Sequence, residues 1–464
     1  MLTINLDTYS SVPLYEQIYI YIKKEIQNGT MTYQYKLPST RGLAEHLQIS
    51  RNTVDMAYSQ LLSEGYIEAI PKKGYYVGQM KELTKISRQP IDAPIKAKET
   101  EESYLYNFSP FTIDISQVPY HTWRKLSKNS MNNNSLFLLG DKQGDYELRA
   151  VIHQYLHDSR GVHCSPDEII IGAGADYLLQ LLSQIITDQS VIAMENPTYK
   201  QAYSIFQGLN ITTIGIPLDQ HGMNLDALKN SSANIAYVTP SHQYPLGIVM
   251  PIQRRLELLA WANEGDNRYI IEDDHDSEFR YKGKPIPSLQ GIDSNHKVIY
   301  LGTFSRAIAP AIRIGYMVLP RQLFKVYKEH YSYYTSTVSR IDQAIMTAFI
   351  KEGYFERHLN RMRKIYKNKH DVLMNAFKEF GNTVKIHGEN AGLHVVVEFL
   401  TVLSEEDIIH MAKKHKIKLY GLSKHFIGES TVQHPHILFG YANLSEEEII
   451  QGVHLLYQII SYYC

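Results

Sequence analysis

Two hydroxyls and two guanidinium groups crowd into one short stretch, Thr303-Phe-Ser305-Arg306-Ala-Ile-Ala-Pro310-Ala-Ile-Arg313. It leaves an apolar run, Val298-Ile-Tyr-Leu301, that reads as a buried strand, and Pro310 marks a turn. Hydroxyls and a guanidinium at a strand's exit suit a phosphate dianion, because charge-assisted hydrogen bonds are the short, strong ones. A second anion-binding feature stands upstream. Glu168-Ile-Ile-Ile171 reads as a strand, Gly172-Ala173-Gly174-Ala175 as a turn, and Asp176 to Ile186 as an apolar helix. The first N–H groups of a helix have no intrahelical partner, so a glycine turn at its start offers them to an anion. Four polar residues, Asp273-Asp274-His275-Asp276, close another strand, Tyr269-Ile-Ile-Glu272. On an extended chain Asp273 and His275 share one face, with Asp274 and Asp276 on the other. Two ligands on one face are too few for a divalent ion without distant partners, so no metal site is expected.

The elements that must position these groups alternate. Val191 to Tyr199, Ile235 to Gly247 and Tyr269 to Phe279 each read as a strand running into a polar or proline-containing end. Strands alternating with helices argue an α/β sheet whose site gathers at the strand ends. After helical segments from about Tyr354, Gly392 to Phe399 and His436 to Ala442 read as strands of a smaller C-terminal part, closed by a helix from Glu446 to Tyr463.

These motifs resemble the fold type I aminotransferases, in the form carried by GabR-like (MocR) transcription regulators. The resemblance implies that Ala173, Gly174 and Ala175 join Thr303, Ser305 and Arg313 in a phosphate cup for pyridoxal phosphate. It implies that Tyr199 lies over the pyridine ring and that Asp273 pairs with the ring nitrogen. In that family the residue after the serine is the lysine that holds the cofactor as an imine; here it is Arg306. An imine needs a neutral amine, and a guanidinium stays protonated, so no covalent link and no transamination are expected, and no residue is assigned as catalytic. His275 stands where the family has a tyrosine at the cofactor's phenolic oxygen. Gln201 and His434 stand where GabR-like members have arginines, which removes the bidentate grip on a carboxylate. The expected ligand is small and anionic or phosphorylated, and pyridoxal phosphate, where it binds, is held without a covalent bond.

The first eighty residues read differently. Leu14, Ile18, Ile22 and Ile26 form a helical stripe between Pro13 and Gly29; a second helix fits Thr40 to Leu47, capped by Ser39 or Thr40; a third runs from Arg51 to Glu64. A strand, the tip Lys72-Lys73-Gly74 and a second strand follow as a wing. Leu37-Pro-Ser-Thr-Arg41, Ser50-Arg51-Asn52-Thr53-Val54 and Gly65-Tyr66-Ile67 resemble the GntR-type winged helix-turn-helix. Seven basic and seven acidic side chains cancel over residues 1–80, so there is no generic basic patch. Yet Lys36, Ser39, Arg41, Arg51, Asn52, Thr53, Lys72, Lys73 and Gly74 fall where such modules meet phosphates and base edges.

The expected organisation is a DNA-binding domain over 1–80, a charged linker over 81–104 interrupted by Pro90 and Pro94, and an aminotransferase-like effector and dimerisation domain over 105–464. The large part of that domain extends to about 350, with the smaller part after it. Two cysteines are too few for a disulfide framework, the N-terminus is too polar for a signal peptide, and no apolar run approaches membrane-spanning length. A cytoplasmic protein is expected. The resemblance adds a head-to-tail homodimer on double-stranded operator DNA, with no membrane association. Two rival readings are a working pyridoxal-phosphate aminotransferase, which Arg306 opposes, and a constitutive DNA-binding dimer whose large domain binds no ligand.

Overall fold

The computed structural model describes residues 2, 4–8, 10–79, 103–186, 189–281, 286–429 and 432–463; the expected linker lies outside the described residues except at 103 and 104. The chain forms two compact units, Met1–Glu101 and Glu102–Cys464. Among the described residues, no helix is long and apolar enough to cross a membrane.

In the first unit α1 (Leu14–Gln27), α2 (Thr40–Leu47) and α3 (Arg51–Ser63) pack on a hairpin of β1 (Ile67–Ile70) and β2 (Gly74–Val77). The stripe spaced by four on α1 buries Ile18, Ile22 and Ile26 against Val54, Ala57, Tyr58 and Leu61 of α3. Ser39 caps α2 by accepting the Gly42 N–H at 3.0 Å. The turn into α3 passes through Gln48 in the left-handed region, φ 55°. Gly74, φ +110°, supplies the hairpin tip a conformation that side chains rarely adopt.

Among the described residues the second unit has a large sheet, a small sheet and a two-stranded parallel pair of Tyr106–Asn107 with Ile417–Lys418. The elements that bear on the site are α4 (Tyr146–Arg160), β3 (Ile169–Gly172), α5 (Gly174–Ile185), β4 (Val191–Asn196), α6 (Lys200–Gly208), β5 (Thr212–Asp219), β6 (Gly222–Met223), β7 (Ile235–Val238), β8 (Tyr269–Asp273), β9 (Val298–Thr303) and β10 (Gly315–Val318). There follow α7 (Tyr354–Ala376), β11 (Val384–His387), β12 (His394–Phe399), β13 (Tyr420–Gly421), β14 (His436–Gly440) and α8 (Glu446–Ile460). The large sheet runs β3-β10-β9-β8-β7-β4-β5-β6. Its centre, from β9 to β5, is parallel, while β10 lies antiparallel between β9 and β3. The small antiparallel sheet runs β11-β12-β14-β13.

Buried parallel strands read as continuous apolar runs, and β7, β8 and β9 do: Ile235-Ala-Tyr-Val238, Tyr269-Ile-Ile and Val298 to Leu301 are all buried. The polar residues that end them therefore gather at one edge of the sheet. One expectation fails there. β8 stops at Asp273, and Asp276 adopts φ 54°, which turns the chain back on itself. Asp276 thus lies beside His275, Oδ2 to Nδ1 3.8 Å, and not on an opposite strand face.

Candidate functional site

The sheet register assembles the cup. Thr303 of β9 pairs with Gly315 of β10, which pairs with Gly172 of β3. The first residue of α5, Gly174, packs under this edge: a Cβ on Gly315 would stand 3.2 Å from its backbone. The helix starts at Gly174 and not at Asp176, so the turn glycine is itself the first helical residue. The Ala173 N–H is taken by Thr337 Oγ1 at 2.9 Å, which leaves the N–H groups of Gly174 and Ala175 for an anion. Among the described residues the half-buried hydroxyls of Thr303 and Ser305 have no hydrogen-bond partner. Arg313, φ 50°, folds its guanidinium over Gly174 and pairs with Asp176 at 2.8 Å. That pair is half exposed and weakly held, so an arriving dianion can share the guanidinium.

Asp273 and Tyr199 adjoin the cup. Asp273 accepts the Tyr237 hydroxyl, and burial raises its carboxyl to about 6. The Tyr199 hydroxyl is pushed up to about 12 by burial and by Asp273 and Asp176, against the opposing charges of Arg306 and Arg313. One phenol thus feels all four charges. Gln201 donates to Asp176 at 2.8 Å, and Lys200 is drawn away to the Phe426 carbonyl at 3.0 Å.

Arg306 is fixed. Its Nε and Nη2 grip Asp276 at 2.9 and 3.0 Å, and Nη1 donates to the Pro110 carbonyl at 2.6 Å. Asp276 is fully buried and also accepts the Leu393 N–H at 3.1 Å. The guanidinium holds its carboxyl far below the usual carboxylate range, while Asp276 holds Arg306 above its own usual value despite burial. The residues of this chain fit the phosphate and ring-nitrogen ends of pyridoxal phosphate. At the third end they present a paired guanidinium and no amine.

Around that pair lies a cluster the sequence reasoning missed. His242, from the loop after β7, stacks on His275 with ring centroids 6.1 Å apart and meets His394 of β12 edge-on at 5.2 Å. Tyr244 packs against both His275 and His394. Burial lowers His242 and His275 to about 4 and His394 to about 3, so all three are neutral imidazoles. The available signal was the polar, proline-flanked segment Pro240-Ser-His-Gln-Tyr-Pro245 at a strand end. His434 does not join this group. It precedes β14, where its carbonyl accepts from His436 Nδ1 at 2.7 Å, and among the described residues no contact links it to the cup.

In the first unit the expected DNA-contacting residues line one series of element ends. Ser39 and Arg41 begin α2, while Arg51, Asn52 and Thr53 begin α3. Lys36 lies over the Tyr76 ring of β2 at 5.8 Å, and Lys72 and Lys73 occupy the hairpin tip beside Gly74. Arg41 and Arg51 each pair with a carboxylate one turn on, Glu45 at 2.9 Å and Asp55 at 3.3 Å. Such exposed pairs are worth about 0.3–0.5 kcal/mol, far less than a phosphate or base contact.

Two family models match the chain. That of the bacterial regulatory proteins of the gntR family covers residues 14–77, and that of aminotransferase class I and II covers residues 113–420. The chain is 41% identical over 448 residues to the uncharacterized HTH-type transcriptional regulator YdeL of Bacillus subtilis (strain 168), across 95% of this chain and 96% of that protein. It is 32% identical over 468 residues to the probable rhizopine catabolism regulatory protein MocR of Rhizobium meliloti, across 97% and 94%. Among solved structures, kynurenine aminotransferase of Pyrococcus horikoshii is similar at a TM-score of 0.70 and 25% identity, across 78% of this chain and 92% of that one.

Proposed function

This chain belongs to the MocR-like HTH-type transcriptional regulators, which join a gntR-family domain to a class I and II aminotransferase domain, and on that premise we propose that it is a sequence-specific regulator of transcription whose large unit senses a small anion. It binds operator DNA as a homodimer through α3 and the β1–β2 tip. Its large unit holds a phosphorylated or carboxylate ligand in the cup and does not transaminate it. The observation that carries the second half is the Arg306–Asp276 fork: the position that would need a free amine is a cation locked into an ion pair. Gly174, Ala175, Thr303, Ser305 and Arg313 would hold the ligand phosphate, and Asp273 a protonated ring nitrogen. Pyridoxal phosphate, when bound, supplies an electrophilic aldehyde, and Lys200, beside Tyr199, is engaged with the Phe426 carbonyl.

The DNA half is tested by gel shift against genomic fragments, with two chains expected per site. Arg51→Ala should weaken specific binding by about 1–3 kcal/mol, close to 5- to 150-fold, if it reads a base. Lys72→Ala should weaken all sequences alike and flatten the salt dependence by about one phosphate contact. Absence of salt-dependent binding would refute the assignment. The ligand half is tested by mass spectrometry after borohydride reduction in the presence of pyridoxal phosphate. No covalent label is expected on residues 300–316 or on Lys200, and a label at either place would restore the enzyme reading.

A further inference from the structure

We propose that the large unit holds a borderline divalent transition-metal ion, Zn2+ or a congener, between His242, His394 and Asp276, with His275 at the edge as a fourth donor. One ligand atom from each of the first three lies within 4.8 Å of the others, and all three residues are buried. Donors about 2.1 Å from a tetrahedral ion stand about 3.4 Å apart, so the cluster closes by at most roughly 1.4 Å on binding. Imidazole with carboxylate is the donor set of zinc and its neighbours.

The nitrogens themselves point to a ligand. His242 is wholly buried, and neither ring nitrogen has a hydrogen-bond partner of normal geometry. An unmet polar atom in a protein interior is costly and rare. His394 turns Nε2 to the Pro245 carbonyl at 2.8 Å and leaves Nδ1, buried and unpartnered, for the cluster. A carbonyl on the far nitrogen is how metal-binding histidines are oriented and fixed in one tautomer. His275 Nδ1 is also buried without a hydrogen-bond partner.

The backbone makes room for this arrangement. A Cβ on Gly392, φ +82°, would stand 2.1 Å from His242 Cε1, and one on Gly247, φ +73°, would stand 3.1 Å from its Nε2. Two glycines in the left-handed region therefore seat a ring whose nitrogens meet the Gly388 backbone and no hydrogen-bond partner of normal geometry. Arg306 occupies one lone pair on each Asp276 oxygen and the Leu393 N–H a second on Oδ2, which leaves one on Oδ1 for the ion. The Arg306 and Asp276 charges cancel, so a bound ion brings an exchangeable anion or hydroxide to complete its shell. A second histidine–carboxylate group, His387, Glu398 and His436, is more exposed, and its Glu398 is already paired with Lys385 and His387. It serves as the control.

The test uses the full chain without a histidine tag, stripped of metal and titrated calorimetrically with Zn2+. One ion per chain is expected. His242→Gln and His394→Gln should each weaken binding by at least about 100-fold, the upper end of what even an outer-shell loss costs, and His275→Tyr by about tenfold. The double variant His387→Gln/His436→Gln should bind as the unaltered protein does. Circular dichroism and DNA affinity report whether each variant is folded. Should the buried variants fail to fold, X-ray absorption of the unaltered zinc-loaded protein decides the matter, with two or three imidazole ligands expected. No stoichiometric binding, binding retained in both buried variants, binding lost in the control, or an absorption spectrum without imidazole would each overturn the proposal.

Discussion

Arg306→Met should lower the stability of the large unit by about 3–5 kcal/mol, because it strips a fully buried carboxylate of the guanidinium that pairs with it. Methionine keeps the length and the apolar stem, so the loss reports charge more than volume. Arg306→Lys keeps the cation but breaks the fork and the Pro110 contact, and should cost only about 1–2 kcal/mol. The pH dependence separates charge from packing. In the unaltered protein the Asp276 carboxyl is depressed, so its contribution is fully present above the unfolded value of about 3.9 and fades only below it. In the methionine variant burial outweighs the remaining Leu393 N–H bond and raises that carboxyl, so the variant loses stability as pH rises beyond about 4. Urea midpoints should therefore differ more at pH 7 than at pH 5. An equal gap at both would assign the loss to packing.

The second large effect belongs to Arg160→Met. Arg160, at the end of α4, and Asp274, just past β8, are both nearly buried, at 5% and 4% exposure, and pair through Nη2 and Oδ1 at 2.8 Å. Asp274 also accepts the hydroxyls of Tyr300 at 2.5 Å, Ser241 at 2.8 Å and Ser277 at 2.7 Å. Those three donors remain in the variant, so the expected loss is about 3 kcal/mol, near the lower end for a broken buried pair. A loss below about 1 kcal/mol by urea unfolding would mean that the hydroxyls alone satisfy the carboxylate.

Local pattern made the first unit legible almost to the residue: α2 runs over the expected Thr40 to Leu47, and α3 stops one residue short of Glu64. The large sheet was legible as a class, because buried parallel strands leave unbroken apolar runs, and the cup residues lie together because they sit at the ends of neighbouring strands. What could not be read was convergence over distance. His242 and His394 come from different sheets, and no spacing rule joins them. The facing of Asp276 was misread because strand alternation was carried three residues past the end of β8, through a left-handed residue that only the surrounding structure dictates. Arg306 was seen as the absence of a lysine, whereas its partner 30 residues earlier and its carbonyl contact 196 residues earlier give it a positive structural task.

The Arg160–Asp274 pair has a consequence for synthesis as well. The two residues are 114 positions apart, so at about 5–20 residues per second a nascent chain makes the arginine roughly 6–23 s before its carboxylate. Until then α4 has no counter-charge to bury its end against, and β3 waits still longer for β10. The first unit has no such wait, since its longest sheet and helix contacts close by Val77. Each ribosome thus completes the gntR-family unit well before the aminotransferase-like one.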